Sequence, residues 1–315
     1  MKIGIVGAGL VGSTTAYTIA MKGFGTEIVM IDKDVSRAGA EAADILHAVP
    51  FGHSAVIGQG DYPDLSGSSA VIVAAGRRRQ PGQSRLDLAV DNAAMLRDII
   101  PAILKHAPGA VLLITTNPVD VMTHEASRIA ATMGVSPARV IGSGTVLDTA
   151  RFRTLLGQFL GIDSSHVHAY VVGEHGDSEV MAWSLARVGG LTMDEICRLL
   201  GRELGDGEKQ KMGNDVRGAG HQIVSGKGAT YYGIGSALAH MVDVILHDHR
   251  AILTVSTFLS DVEGISDVTL SLPHILGGQG ILARLPLPLD DRERSALRKS
   301  AETLRLAIDD LERAV

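Results

Sequence analysis

Short, β-branched apolar runs alternate with longer segments in which apolar positions recur at helical spacing. Residues 3–6, 27–31, 70–74, 111–115 and 140–141 have the composition of buried strands. Between them, a segment ending near Lys22, residues 36–47 and residues 86–106 read as helices, and Pro118 is suited to the first turn of another that runs to about Met133. Strand and helix in strict alternation predict βαβ units and an α/β fold, with a doubly wound parallel sheet of the Rossmann type. After Gly144 the pattern loosens into one long helical segment, mixed strands and several glycine clusters. A boundary near residue 143 follows, with a nucleotide-binding domain over 1–143 and a mixed α+β substrate domain over 144–315. The chain closes on an amphipathic helix whose apolar stripe is Leu297, Ala301, Leu304, Ile308 and Leu311.

Composition narrows the function classes. With 315 residues, 45% of them hydrophobic, the chain is long and apolar enough for a large buried core. Its 29 basic and 35 acidic residues give a net charge of -6, which leaves no electrostatic footprint for nucleic acid. No run reaches the roughly 18 apolar residues of a membrane span, and the first residues read as a strand, so no membrane association and a cytoplasmic setting are expected. The single cysteine, Cys197, has no partner for an internal disulfide and reads as a buried structural thiol.

The first strand runs into Gly7-Ala8-Gly9-Leu10-Val11-Gly12. In such a strand-turn-helix, Gly7 permits the tight turn, Gly9 lets backbone approach a pyrophosphate, and Gly12 lets helix and strand pack closely. The second strand ends at Asp32, whose carboxylate suits a ribose 2'-hydroxyl and repels a 2'-phosphate, so NAD is expected rather than NADP.

Hydride transfer from a hydroxyl carbon also moves a proton, and Gly173-Glu174-His175-Gly176-Asp177 sets an imidazole between glycines that let backbone approach a ligand. His175 needs a carboxylate to orient it. Asp148 and Arg151, three apart on an expected helix, share one side; they read either as that carboxylate with a clamp for a substrate carboxylate, or as a surface ion pair. The stretch Gly76-Arg77-Arg78-Arg79-Gln80-Pro81-Gly82-Gln83-Ser84-Arg85 reads as a mobile cationic loop able to close over an anionic substrate. His247 and His249 flank Asp248, but with no further Cys or His spaced to complete a metal site they read as solvated surface, and no metal is expected.

Together these motifs, with Thr116-Asn117-Pro118-Val119-Asp120 and Gly142-Ser143-Gly144-Thr145, resemble the NAD-dependent L-lactate and malate dehydrogenase family along essentially the whole chain. The resemblance implies His175 as proton donor and acceptor, Asp148 as its partner, Arg151 as carboxylate clamp and Arg85 as the residue that polarises the reacting carbonyl. It implies cofactor contacts from Gly7, Gly9, Val11, Gly12, Asp32, Gly76 and Asn117, substrate contacts from Arg79, Asn117 and Thr230, and assembly into dimers or tetramers. Gly176-Asp177-Ser178-Glu179, Gly228-Ala229-Thr230-Tyr231-Tyr232-Gly233 and Leu270-Ser271-Leu272-Pro273 resemble the bacterial lactate branch, in which Arg153 and His168 match the positions that hold fructose 1,6-bisphosphate across a subunit interface. Arg79 departs from that branch: a guanidinium at the substrate's variable end suits the second carboxylate of oxaloacetate and points to malate. More of the chain favours lactate. Two other classes compete, an NAD- and metal-dependent glycosidase, which needs a metal site, and a nucleotide-binding protein that has lost catalysis.

Overall fold

A computed structural model describes residues 1–77 and 82–314. Among the described residues of the first half, six strands run parallel: β1 (Lys2–Val6), β2 (Glu27–Ile31), β3 (Val56–Gln59), β4 (Ser68–Val73), β5 (Val111–Ile114) and β6 (Val140–Gly142). Their spatial order, β6-β5-β4-β1-β2-β3, is that of a doubly wound sheet, with its switch point between β1 and β4. The connecting helices are α1 (Leu10–Lys22), α2 (Val35–Ala48), α3 (Arg85–His106) and α4 (Val119–Thr132). Strand β3 was not anticipated, because Val56-Ile57-Gly58-Gln59 has one buried apolar side chain and no long apolar run.

Alternation along the strands explains the two-sided cover. Ile3 and Ile5 of β1, Ala70 and Ile72 of β4, and Val111 and Leu113 of β5 face one core, which α1, α2 and a later helix α8 (Tyr232–Leu246) close. Val6, Val71, Val73, Leu112 and Ile114 face the other, closed by α3, α4 and the terminal helix α9 (Asp291–Ala314). The five stripe positions expected on α9 are all buried.

Beyond β6 the sequence reading of one long helical segment gives way to separate helices. These are α5 (Val146–Leu160), α6 (Met193–Leu199), α7 (Asp206–Lys227) and α8. Gly161 and Gly228 stop α5 and α7 in left-handed caps, a conformation glycine adopts without a Cβ penalty. Five two-residue strands, β7 (Val167–His168), β8 (Val171–Val172), β9 (Val180–Met181), β10 (Arg187–Val188) and β11 (Leu191–Thr192), link α5 to α6. The long strands β12 (Ala251–Val262) and β13 (Ile265–Gly277), with β14 (Gly280–Arg284), extend the main sheet antiparallel, β12 joining β6 through Ser256 and Gly142. The sheet therefore passes without a break across residue 143. Cys197 is buried in α6. No helix among the described residues is long and apolar enough to cross a membrane.

Candidate active site

A cavity of about 1940 Å³ opens at the carboxyl ends of β1, β2, β4 and β5, where doubly wound sheets bind ligands. One end is built by the glycine turn. Gly7 has φ +107°, and a Cβ there would lie 2.3 Å from the Ala75 nitrogen. Gly12 is buried away from the cavity lining, its Cβ position 1.9 Å from the Gly7 carbonyl oxygen, so it serves packing alone. Gly9, the cap of α1, has nothing within 4 Å of its Cβ position, which leaves its backbone open to a ligand. Asp32 stands across the turn, accepting hydrogen bonds from the Ala8 N–H at 2.8 Å and the Asp34 N–H at 3.0 Å. Val11, Gly76, Asn117 and Thr230 also line the cavity. An open glycine backbone at a helix N-terminus with a carboxylate on the neighbouring strand fits a dinucleotide.

At the other end α5 presents Asp148 and Arg151. The Asp148 carboxylate, 2% exposed as a residue, lies 2.5 Å from His175 Nδ1 through one oxygen and accepts from Arg151 Nη1 at 2.8 Å through the other. The surface-pair alternative for Asp148 and Arg151 is thereby excluded. Burial lowers the imidazolium pKa of His175, but the Asp148 hydrogen bond and charge, helped by Asp120 and Glu179, outweigh it and raise the pKa to about 9. Asp148 itself is held below its ordinary value: burial pushes it up, and His175 and Arg151 more than reverse that. With Asp148 fixing Nδ1, the Nε2 edge is left for proton exchange.

The backbone around His175 is pinned from two directions. Its N–H donates to Asp120 at 2.8 Å, and Asp120 also accepts from Ser256 Oγ at 2.6 Å. Burial raises the Asp120 carboxyl to about 6 against those two hydrogen bonds. Gly173 exchanges backbone hydrogen bonds with Ser271 at 2.8 and 2.9 Å. Of the glycines beside His175, Gly176 lines the cavity, whereas Gly173 does not and answers to a packing need instead. Gly173, at φ +89°, lets the chain pass Ser300 of α9, 2.6 Å from its Cβ position, and a Cβ on Gly176 would meet Glu174 at 2.8 Å.

Arg85, the first residue of α3, lines the cavity but is two-thirds exposed and paired with Asp177 at 2.8 Å. Arg79 lies outside the described residues. Arg153 and His168 are off the cavity lining; Arg153 Nε donates to the Ala169 carbonyl at 3.0 Å, and its guanidinium stacks over Tyr170. Sequence reasoning missed four residues. Asn92, fully buried in α3, accepts from the Arg77 N–H and donates to the Asn117 carbonyl, tying two cavity walls together. Asp120, Glu179 and Arg217 complete the surroundings of His175; the first two stand in motifs that the sequence offers without a task for them, and Arg217 stands in none. Among the described residues, two groups bring metal-capable atoms within 4.8 Å of one another, Asp148 with His175 and Glu179, and Asp243 with His247 and His249. The second adds a carboxylate, one helical turn before His247, that the sequence reading did not join to the histidines.

Residues 1–142 match the lactate/malate dehydrogenase NAD binding domain family, and residues 145–315 match the lactate/malate dehydrogenase alpha/beta C-terminal domain family. The chain is 53% identical over 311 residues to an L-lactate dehydrogenase of Geotalea daltonii, covering 99% of both chains. It is 52% identical over 305 residues to an L-lactate dehydrogenase of Thermus aquaticus, covering 97% of each. Among solved structures it is similar to a lactate dehydrogenase enzyme from a Medee basin deep-sea metagenome library, with TM-score 0.94, 36% identity and coverage of 99% of this chain and 98% of that one.

Proposed function

The chain belongs to the lactate/malate dehydrogenase family, and from that premise we propose that it catalyses the reversible, NADH-dependent reduction of pyruvate to L-lactate. NAD is the cofactor. The observation that carries the reading is Asp148 holding His175 and Arg151 at once, in the same cavity as the Gly7–Gly12 turn and Asp32. Residues 1–143 carry the cofactor and 144–315 the proton-transfer and carboxylate-binding groups.

The Gly7–Gly12 turn and Asp32 would hold the cofactor, which when bound would supply the hydride for the keto carbon. His175, protonated at neutral pH by virtue of its raised pKa, gives the proton on Nε2 to the carbonyl oxygen, and Asp148 stabilises the ring in both states. Arg151 binds the keto acid's carboxylate. Arg85 exchanges its exposed pairing with Asp177, an interaction worth little in water, for the carbonyl on which negative charge develops. Asn117 contacts substrate and the nicotinamide side, and Thr230 forms a wall for a small methyl group.

Oxaloacetate is the second reading, favoured by Arg79. The deciding experiment compares kcat/KM for pyruvate and oxaloacetate under saturating NADH, with and without fructose 1,6-bisphosphate. Preference for pyruvate supports the lactate assignment; preference for oxaloacetate overturns it, and Arg79→Gln then shifts specificity towards pyruvate. The same reading extends to a cytoplasmic homodimer or homotetramer whose Arg153 and His168 bind the sugar bisphosphate as effector. Activation that disappears in Arg153→Ala, and light scattering of the native protein, test those two points.

A further inference from the structure

Glu179 lies just before β9, 3% exposed, yet on the cavity lining. A carboxyl oxygen of Glu179 falls within 4.8 Å of both the Asp148 carboxylate and a ring nitrogen of His175. Its Oε1 is buried and has no hydrogen-bond partner among the described residues. The cations around it are engaged elsewhere. Arg151 Nη1 donates to Asp148, and Arg217 of α7 directs Nη2 to the Glu179 main-chain carbonyl at 3.0 Å and to Met181 Sδ at 3.6 Å. Arg217 Nε is likewise buried and without a partner among the described residues. A second carboxyl group therefore stands beside the Asp148, His175 and Arg151 constellation with no hydrogen bond from the carboxyl to any of its members.

We propose that Glu179 is a positioning residue for substrate binding, whose proton sets how much positive charge Arg151 and His175 present to the carboxylate of the keto acid. The inference rests on the reading that Arg151 and His175 hold that substrate. Two carboxylates so close to one guanidinium and one imidazolium compete with an incoming anion for the same cations, whereas a neutral Glu179 leaves only Asp148 to do so. Burial, then the Asp148 charge, raise the Glu179 carboxyl to about 8 against the opposing pull of His175, Arg217 and Arg151. Asp148 and Arg151 act from α5, Arg217 from α7 and His175 from its own loop, with Asp120 of α4 and Glu174 behind the imidazole. An arriving carboxylate favours the protonated form further, so binding and proton uptake are linked.

The test is the pH dependence of KM and kcat for pyruvate at saturating NADH in wild type, Glu179→Gln and Glu179→Asp. If productive binding requires the Glu179 proton, wild-type KM rises about twentyfold between pH 7 and 9, about tenfold of it from Glu179 and about twofold from His175. Glu179→Gln then shows only the twofold change, and Glu179→Asp restores a steep rise. A Gln variant whose KM follows the wild-type curve overturns the proposal, as does a wild-type KM that is flat through pH 8. Should the Gln variant fail to bind NADH, the wild type decides. Calorimetric titration of its NADH complex with the monoamide of oxalic acid, a non-reducible isostere of pyruvate, in two buffers at pH 8 gives uptake of about half a proton per site if the proposal holds. No uptake overturns it. Absence of any NADH oxidation by wild type with pyruvate or oxaloacetate is a separate failure, that of the dehydrogenase reading itself.

Discussion

At the scale of single residues, the chemistry depends on Asp148 overcoming the burial of His175. Partial burial alone would take His175 below its ordinary value and leave it neutral at pH 7; beside Asp148 it titrates at about 9 and is charged. The direction of catalysis follows from the sign. Reduction needs the imidazolium, so its kcat holds through neutral pH and falls above about 9, the earlier loss in kcat/KM belonging to Glu179, while oxidation needs the neutral ring and its kcat rises as pH approaches 9. Asp148→Asn keeps the shape of the side chain and removes its charge. The variant lowers reductive kcat/KM at pH 7 by about two to four orders of magnitude, and the alkaline limb moves to lower pH. Oxidation at the same pH suffers less. Equal loss in both directions, with the limb still near pH 9, contradicts this account, and circular dichroism of the variant separates it from misfolding.

At the scale of elements, the first turn and helix offer a sharper contrast than their motif alone suggests. A methyl group on Gly12 meets the Gly7 carbonyl oxygen at 1.9 Å, whereas one on Gly9 meets nothing within 4 Å. Gly12→Ala therefore forces α1 away from β1, costing about 1–3 kcal/mol of stability in urea unfolding. Gly9→Ala leaves that stability within about 0.5 kcal/mol yet weakens NADH binding, because the added methyl occupies the space the pyrophosphate needs. Fluorescence titration of NADH and urea denaturation of both variants check the pair. The motif was legible in sequence because its three glycines and Asp32 are set by local geometry. The same holds for Asp148 and Arg151, adjacent on one face of α5. Asp120 was quoted within a motif but given no task, since its bonds reach 55 residues to His175 and 136 to Ser256. Asn92 and Arg217 are hidden for the same reason, whereas Glu179 stands only four residues after His175 and what escapes the sequence is its burial beside Asp148. Gly173 was misread because what requires it, Ser300 on the last helix, is 127 residues away and invisible to any local pattern.

At the scale of the whole molecule, the two halves share one sheet, and the strands that join them bear on stability as well as on shape. The alternation of strand-like and helix-like segments was enough to foresee a sheet covered on both faces, but not that β12 would pair with β6 and carry the sheet past residue 143. Parallel and antiparallel neighbours leave no distinct mark on a buried strand. That extension encloses His274, 1% exposed on β13, with a ring N–H directed to the Leu272 carbonyl at 2.8 Å. Burial lowers its pKa to about 4, the Leu272 hydrogen bond opposes that shift, and Arg284 on β14 reinforces it. The unfolded chain, with an ordinary histidine value near 6.5, then binds the proton that the folded chain refuses. Stability from this group is complete above pH 6.5 and drains away as pH falls towards 4. Asp120, raised to about 6, works in the opposite sense, its contribution being lost as pH rises, so the total profile does not isolate His274. The difference between wild type and His274→Gln does. Between pH 7.5 and 5 wild type loses about 2 kcal/mol more unfolding free energy than the variant, whatever the offset between them at pH 7.5. Urea denaturation at the two pH values measures it, and parallel losses in the two proteins mean that the imidazole already takes up its proton in the folded sheet.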